Sequence, residues 1–334
     1  MENNNIDVVL GCSFGDEGKG KVVYDLIKNN KYDLCVRFNG SGNAGHTIYH
    51  NNNKIVLHQL PIGVLFNDTF NLISSDCLIN IDKLRDEINN IKGHGIDISN
   101  RLFISQACHI ITQKEIDYDR ANNKVGTTGS GIGPTYANKM LRISDRVECN
   151  RTIFEMMNIN VVDMRKFQFD NYNKILLEGA QGFELDINWT NNYPYCTSST
   201  CTLAGAINTG IPIKRLNNIY GVSKIYDTYI GTMKFQPDDE DLDKIGLHGK
   251  EFGSTTGRKR QCNYLNLDNL REALRINQCN KCIINKVDIV NDLNIFKLYN
   301  NNKIVTFDTL DNMKEYIINN INIPIIFSSN PYNI

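Results

Sequence analysis

Several features that would each announce a function are missing from this sequence. There is no surplus of basic residues: 36 Lys and Arg stand against 37 Asp and Glu, for a formal net charge of -1. That balance argues against a nucleic-acid binder driven by electrostatics and leaves only local basic clusters to act on anions. No run approaches the roughly 18 apolar residues that a membrane-spanning helix needs. The opening Met1-Glu2-Asn3-Asn4-Asn5 lacks both the basic start and the apolar centre of a secretory leader. A soluble, cytoplasmic protein is expected, with neither nucleic acid nor membrane as partner. Paired metal-binding motifs are missing too. The ten cysteines are scattered, several within apolar segments such as Leu34-Cys35-Val36, as reduced thiols used as small hydrophobes would be. Cys279-Asn280-Lys281-Cys282 has CxxC spacing, but no second pair or nearby His completes a zinc site. His46 and His50 are four apart, as on a zinc-binding helix, yet the glycines around His46 argue against a helix there. His50, His58 and His109 read as structural histidines.

What the sequence does have is a series of glycine-rich turns placed after apolar runs. The first, Gly11-Cys12-Ser13-Phe14-Gly15-Asp16-Glu17-Gly18-Lys19-Gly20-Lys21, follows the strand-like Asp7-Val8-Val9-Leu10 and precedes the helix-like Val22-Val23-Tyr24-Asp25-Leu26-Ile27. A glycine turn between strand and helix aims backbone N–H groups and the positive helix end at an anion, which predicts a phosphate-binding loop. It departs from the Walker A pattern, having Ser13 where a Gly is wanted and Gly20 where Ser or Thr follows the Lys. Asp16 and Glu17 lie inside it. A carboxylate beside phosphates is repelled unless it binds a metal or moves a proton, so the loop is expected to do catalysis as well as binding.

Asp33-Leu34-Cys35-Val36-Arg37-Phe38 reads as a second strand and runs into a second glycine-rich turn, Asn39 to Thr47, which carries His46. Ile55 to Leu60 and Leu72-Ile73 through Leu78-Ile79 read as further strands, and Ile81 to Ile91 has helical spacing. Strands alternating with helices predict an α/β fold with a mostly parallel sheet. The third glycine turn, Gly126-Thr127-Thr128-Gly129-Ser130-Gly131-Ile132-Gly133-Pro134, sets hydroxyls between glycines in a way that suits a phosphate monoester, with Arg142 shortly after it. Ile175-Leu176-Leu177 is a buried-strand signature leading into Glu178-Gly179-Ala180-Gln181-Gly182, and then to Tyr193-Pro194-Tyr195-Cys196-Thr197-Ser198-Ser199. The run Thr255 to Arg260 holds two hydroxyls, a glycine and three cations, and paired guanidiniums capture carboxylate or phosphate. Helical spacing covers Asn266 to Ile276, with Leu267, Leu270 and Leu274 on one face. Cys282 to Asp288 reads as a strand ending in Asn285-Lys286-Val287-Asp288, the Asn-Lys-x-Asp pattern with which GTP-binding proteins read guanine. The Asp accepts from N1–H and the 2-amino group together, a donor pair that adenine lacks.

Taken together, GDEGKGK at 15–21, NAGHT at 43–47, GTTGSGIGP at 126–134, EGAQG at 178–182, YPYCTSS at 193–199 and STTGRKR at 254–260 resemble the adenylosuccinate synthetase family. The resemblance runs from Val8 to Pro331. It implies one domain over 1–334, built on a large, mostly parallel sheet flanked by helices, with P-loop-like GTP-binding architecture and short accessory segments. The implied reaction is GTP-dependent ligation of L-aspartate to IMP through a 6-phosphoryl intermediate, with Mg2+ as cofactor.

The resemblance also implies roles. Asp16 would be the general base at N1 of IMP and a Mg2+ ligand, with the Gly45 carbonyl also on the metal. His46 would be the acid or donor at the transferring phosphoryl, Lys19 and the loop amides would neutralise phosphate charge, and Gln181 would stabilise charge at O6. IMP would be bound by Asp16, Asn43, Thr128, Gly129, Gln181, Thr197, Arg258 and, from the partner of a homodimer, Arg142. L-Aspartate would be clamped by Thr255, Thr256, Arg258 and Arg260. GTP would meet Gly15, Glu17, Gly18, Lys19, Gly20, Gly45, His46, Thr47 and Arg260, with its base read by Lys286, Asp288 and the closing Ser328-Ser329-Asn330.

The chain departs from the family pattern in places. It is short between Arg146 and Lys174 and between Asp292 and Ile323, as compact archaeal and viral members are, and a viral member would work in host cytoplasm. Ser130 replaces an arginine, Tyr229 to Lys234 replaces TRVGAGPFP, and Asn263-Tyr264 replaces Gly-Trp. Two alternatives follow. One is a viral-type 2-aminoadenylosuccinate synthetase using dGMP, with ATP or dATP as donor; the other is a catalytically silent nucleotide-binding relative. Retained Asp16 points to IMP, and retained Asp288 points to GTP.

Overall fold

The structure, a computed structural model, describes residues 5–51, 53–123, 125–253 and 257–329. Its centre is a nine-stranded sheet made of β1 (Ile6–Gly11), β2 (Leu34–Arg37), β3 (Phe70–Ile73), β4 (Leu102–Ser105), β5 (Asn160–Val162), β6 (Ile175–Glu178), β7 (Leu216–Lys224), β8 (Lys281–Asn285) and β9 (Ile325–Phe327). Their spatial order is β9-β8-β7-β1-β6-β2-β3-β4-β5, and every pairing is parallel. Parallel sheets are covered on both faces, which is why these strands read as unbroken apolar runs. Successive side chains go to opposite faces: Val8, Leu10, Leu34, Val36 and Leu177 pack into one core, and Val9, Cys35, Leu176, Val222 and Ile283 into the other.

Because the strands all point the same way, the loops after β1, β2, β6, β7 and β8 emerge along one edge of the sheet. β6 inserts between β1 and β2 although it lies far later in the chain, so the connection leaving β1 and that leaving β6 diverge there. Such a switch point at the carboxyl ends of strands is where open α/β sheets hold ligands. The first connection is helix α1 (Lys19–Asn30), entered through Gly18 in the left-handed conformation, φ 88°. Smaller sheets flank this edge. One has four strands, Tyr226–Tyr229, Gln261–Asn266, Lys297–Asn300 and Lys303–Thr306; another is the hairpin of His46–His50 with Asn53–Leu57.

Local differences from the sequence reading have local causes. The expected strand over Ile55 to Leu60 is the second arm of that hairpin, Asn53–Leu57, so His46 opens a strand. The strand expected through Asp288 stops at Asn285, because Lys286 turns left-handed, φ 64°, and starts the helix Val287–Leu293; Asp288 lies in that helix's first turn. Gly131, φ 77°, likewise ends the third glycine turn, and Ile132-Gly133-Pro134 opens the helix Ile132–Leu141, where proline is tolerated in the first turn. No helix among the described residues is long and apolar enough to cross a membrane.

Candidate active site

The opening loop is built around a buried acid. Glu17 is 1% exposed; its Oε1 accepts the N–H groups of Ser13 at 3.1 Å and Gly15 at 2.9 Å, and its Oε2 takes Lys19 Nζ at 2.5 Å. The Glu17 carboxylate therefore folds the loop and does not face an anion. Besides binding a metal or moving a proton, an acid in such a loop has this third use, holding backbone amides. Asn285 Nδ2 donates to the Glu17 carbonyl at 2.7 Å, and Ser13 Oγ donates to the buried Asp227 at 2.5 Å. A side chain at Gly182 would collide with Ser13 O and the Glu17 carboxylate, so this glycine lets the EGAQG turn lie directly on the loop. The first turn of α1 has no side-chain cap, and its amides are left to an anion.

Asp16 is the exposed acid of the loop, held left-handed at φ 58°. Its Oδ2 lies 2.8 Å from both Nε and Nη2 of Arg260. Arg260 Nη1 donates to Glu251 at 2.6 Å, and Glu251 also accepts from Tyr226 Oη at 2.7 Å and Lys224 Nζ at 3.3 Å. Burial alone would raise the Glu251 carboxyl, but Lys224, Arg260 and Lys286 outweigh it and hold it down to about 2.

His46 stands on the other side of the start of α1. A Cβ on Gly20 would come 2.9 Å from His46 Cβ. The imidazole Nδ1 is 3.1 Å from Glu178 Oε1, the same oxygen that takes Arg37 Nη1 at 2.5 Å. Burial and the Arg37 charge lower the His46 pKa against the pull of Glu178, so the ring is neutral near neutral pH. Nδ1 also lies 3.3 Å from Arg37 Nη1, so it faces a donor as well as an acceptor. His58 Nδ1 donates to Ala44 O at 2.9 Å and steadies the backbone before His46. Asn43 Oδ1, Ser41 Oγ and Arg37 Nη2 are buried with no partner among the described residues.

Gln181, left-handed at φ 63°, packs over Gly15 and accepts from Ser199 Oγ at 3.3 Å; Thr197 Oγ1 is 3.3 Å from the same hydroxyl. In the third loop Asp119 takes Thr127 Oγ1 at 2.8 Å and Gly131 N–H at 2.9 Å, and Arg258 Nη1 donates to Gly126 O at 3.2 Å. Thr128 faces solvent and bonds Ser130 Oγ at 2.9 Å. Near β8, Lys286 Nζ donates to Gly249 O at 3.1 Å, and Lys21 Nζ donates to Ser328 Oγ at 2.7 Å. Burial lowers Lys21 to about 8 against the opposing charges of Asp288 and Asp25.

The structure thus gathers Asp16, Lys19, His46, Gln181, Thr197 and Arg260 around the start of α1, and Lys21, Lys286, Asp288 and Ser328 beside β8. Arg258 ties the third loop to the arginine run. Arg142 stands apart, exposed and left-handed at the end of its helix. Thr255, Thr256 and Asn330 lie outside the described residues. Four contributors were missed: Arg37, Glu178, Glu251 and Asn285. Arg37 and Glu178 had a signal, since each is a charge closing an otherwise apolar strand, and Asn285 opened a motif read only for its Lys and Asp. Glu251 had none. Asp16 and the Gly45 carbonyl offer a hard cation two oxygens. Among the described residues no group of three His, Cys, Asp or Glu could hold a metal. Cys279 and Cys282 are buried free thiols.

A family model described as adenylosuccinate synthetase matches residues 8–157 and 147–313. The adenylosuccinate synthetase of Helicobacter acinonychis is 35% identical over 340 residues, covering 87% of this chain and 81% of that protein. That of Wigglesworthia glossinidia brevipalpis is 34% identical over 360 residues, covering 92% and 82%. Among solved structures, the fully ligated adenylosuccinate synthetase from Plasmodium falciparum superposes with a TM-score of 0.86 at 26% identity over 98% of both chains. A cyanophage S-2L succinoaminodeoxyadenylate synthetase bound to dGMP and dATP shares the fold, with a TM-score of 0.75 at 20% identity over 95% of this chain and 99% of that one. With the family model covering nearly the whole chain and relatives at this identity, the chain belongs to the adenylosuccinate synthetase family.

Proposed function

We propose that the chain ligates L-aspartate to IMP, driven by GTP. The observation that carries this reading is the pairing of an exposed acid, Asp16, and a neutral histidine, His46, on either side of the uncapped N-terminus of α1. A lactam oxygen is a poor leaving group and must first become a phosphate ester. Asp16 takes the N1 proton of IMP so that O6 attacks the γ-phosphate of GTP. His46 meets the transferring phosphoryl oxygens, and Lys19 with the α1 amides neutralises their charge. Gln181 faces O6. The aspartate amine then attacks C6, loses its proton and expels inorganic phosphate. When bound, Mg2+ supplies charge neutralisation at the phosphates, held by Asp16 and the Gly45 carbonyl.

In this reading Asn43, Thr128, Gly129, Thr197 and Arg258 hold IMP. Thr255, Thr256, Arg258 and Arg260 hold aspartate. Gly15, the Glu17 backbone, Gly18, Gly20, Thr47, Arg260, Lys286, Asp288, Ser328, Ser329 and Asn330 hold GTP. The enzyme acts as one domain in the cytoplasm and as a homodimer. Support for the dimer comes from Met140, Leu141 and Ile143, which are 70, 66 and 69% exposed around Arg142. Such a patch marks a protein contact, and it would carry Arg142 into the partner's site. The test is aspartate-dependent phosphate release with IMP, GMP and dGMP crossed against GTP, ATP and dATP. Turnover with IMP and GTP is expected; turnover with dGMP alone overturns the substrate assignment.

A further inference from the structure

Arg260 serves two acids with two different edges of its guanidinium. Nη1 is committed inward to Glu251 Oε2 at 2.6 Å, while Nε and Nη2 together face Asp16 Oδ2, each at 2.8 Å. The two acids are not equivalent. Glu251 is 1% exposed, and its other oxygen receives Tyr226 Oη and Lys224 Nζ, groups at the junction of β7 with the strand Tyr226–Tyr229. Asp16 is one-third exposed on a loop of glycines, and among the described residues its side chain is held by Arg260 alone.

Backbone pairing fixes Glu251 and Arg260 against each other. Arg260 N–H donates to Glu251 O at 3.0 Å, Gly253 N–H donates to Arg258 O at 2.8 Å, and Phe252 and Lys259 form an antiparallel bridge. The two residues therefore pair beside Phe252, Gly253, Arg258 and Lys259, and Lys224 Nζ is held in addition by Thr228 Oγ1 at 2.5 Å. A guanidinium presents a rigid fork of donors, so anchoring one nitrogen orients the rest. The outer edge of Arg260 is a two-donor seat of the kind that takes one carboxylate or phosphate group.

We propose that Glu251 is a positioning residue that presets the outer edge of Arg260 as an anion seat, filled by Asp16 in the free protein and transferred to an anionic oxygen of a substrate on binding, which frees Asp16 for the proton at N1. Without Glu251, Arg260 keeps Asp16 as its acid partner and can follow it, so the seat and the base stay closed on each other. Lys224 would then also face Arg260 with no acid between them. The inference deepens the reading above and rests on it. The arriving oxygen belongs either to an aspartate carboxylate or to a GTP phosphate, and the two differ in which KM responds.

The experiment uses full-length Glu251→Gln and Glu251→Asp, with KM measured separately for IMP, GTP and L-aspartate beside kcat and a thermal melt. Losing the charged anchor is expected to raise KM for aspartate or for GTP by about 10-fold, the size of a charge-assisted hydrogen bond, with KM for IMP within about 2-fold. Glu251→Asp recovers part of that loss. Adding Glu251→Gln to Arg260→Ala produces no further change, because the anchor acts only through Arg260. Tyr226→Phe, which removes a donor from Glu251 but leaves Arg260 anchored, keeps all three KM values. Equal rises in all three KM values, a lower melting point with KM unchanged, or multiplying effects of the two variants would overturn the proposal. Failure of the wild-type protein to make product would instead count against the proposed reaction, and calorimetric titration with GTP and with L-aspartate then replaces KM in the same comparison.

Discussion

At the scale of single residues, the loop separates two adjacent acids by what surrounds them. Glu17 is enclosed by its own loop's amides and Lys19, while Asp16 faces outward against Arg260. Asp16→Ala is expected to lower kcat by about 10^3-fold or more, the scale of a general base, and His46→Ala to do the same, with circular dichroism and size-exclusion profiles unchanged; near-wild-type turnover from either would sink the mechanism. A second prediction concerns Glu184, which follows EGAQG and is 4% exposed. Burial, with the charges of Asp227 and Glu272, pushes its carboxyl up from 4.5 to about 7. A folded pKa above the unfolded one means a contribution fully present below about pH 4.5 and lost as pH rises through about 7. Glu184→Gln removes the burden of burying that charge. It should stabilise the protein at pH 8 by up to about 3 kcal/mol and by much less at pH 5, read by urea unfolding at the two pH values.

At the scale of elements, β1, the opening loop and α1 form a unit held from outside. Asn285 at the end of β8 ties the Glu17 carbonyl. Asn285→Ala should cost about 1 kcal/mol of stability, a hydrogen bond's worth, yet raise KM for GTP several-fold because the loop loses its tether; an unchanged KM would show that the loop holds its shape alone. This unit was the most legible part of the sequence. Val8-Val9-Leu10, the glycines and Val22 to Ile27 each obey a local rule of burial, turn or periodicity. The hairpin at His46 was less legible, since the pairing that turns Ile55 to Leu57 into a second arm involves residues whose polarity announces no strand. The Arg37, Glu178 and His46 triangle was not legible as a triangle. The register Glu178↔Arg37 joins residues far apart in sequence, and only the sheet order brings them together. Glu251 was hidden for the same reason: its partners come from β7, from the strand after it and from Arg260, and no short window contains them.

At the scale of the whole molecule, each site borrows Arg142 from a second copy under the proposed reading. Mixing Asp16→Ala with Arg142→Ala subunits, each inactive alone, should restore activity, because each hybrid dimer holds one site with both residues intact. With random exchange, half the dimers are hybrids, giving about a quarter of wild-type turnover; no recovery after subunit exchange would place Arg142 in its own subunit's site or in none. The architecture has a further consequence, in time and not in space. β1 pairs with β6 and β7, Ile6 standing opposite Ile175 and Leu216, and the opening loop rests on Gly182, Asp227 and Asn285. At translation rates of roughly 5–20 residues per second, the first strand to leave the ribosome waits on the order of ten seconds or more for its neighbours and longer for the residue that fastens its loop. Closing such distant contacts is slow. The part of the chain made first is therefore finished late, and a nascent chain released before β8 has an opening loop without its tether, however complete its N-terminal half.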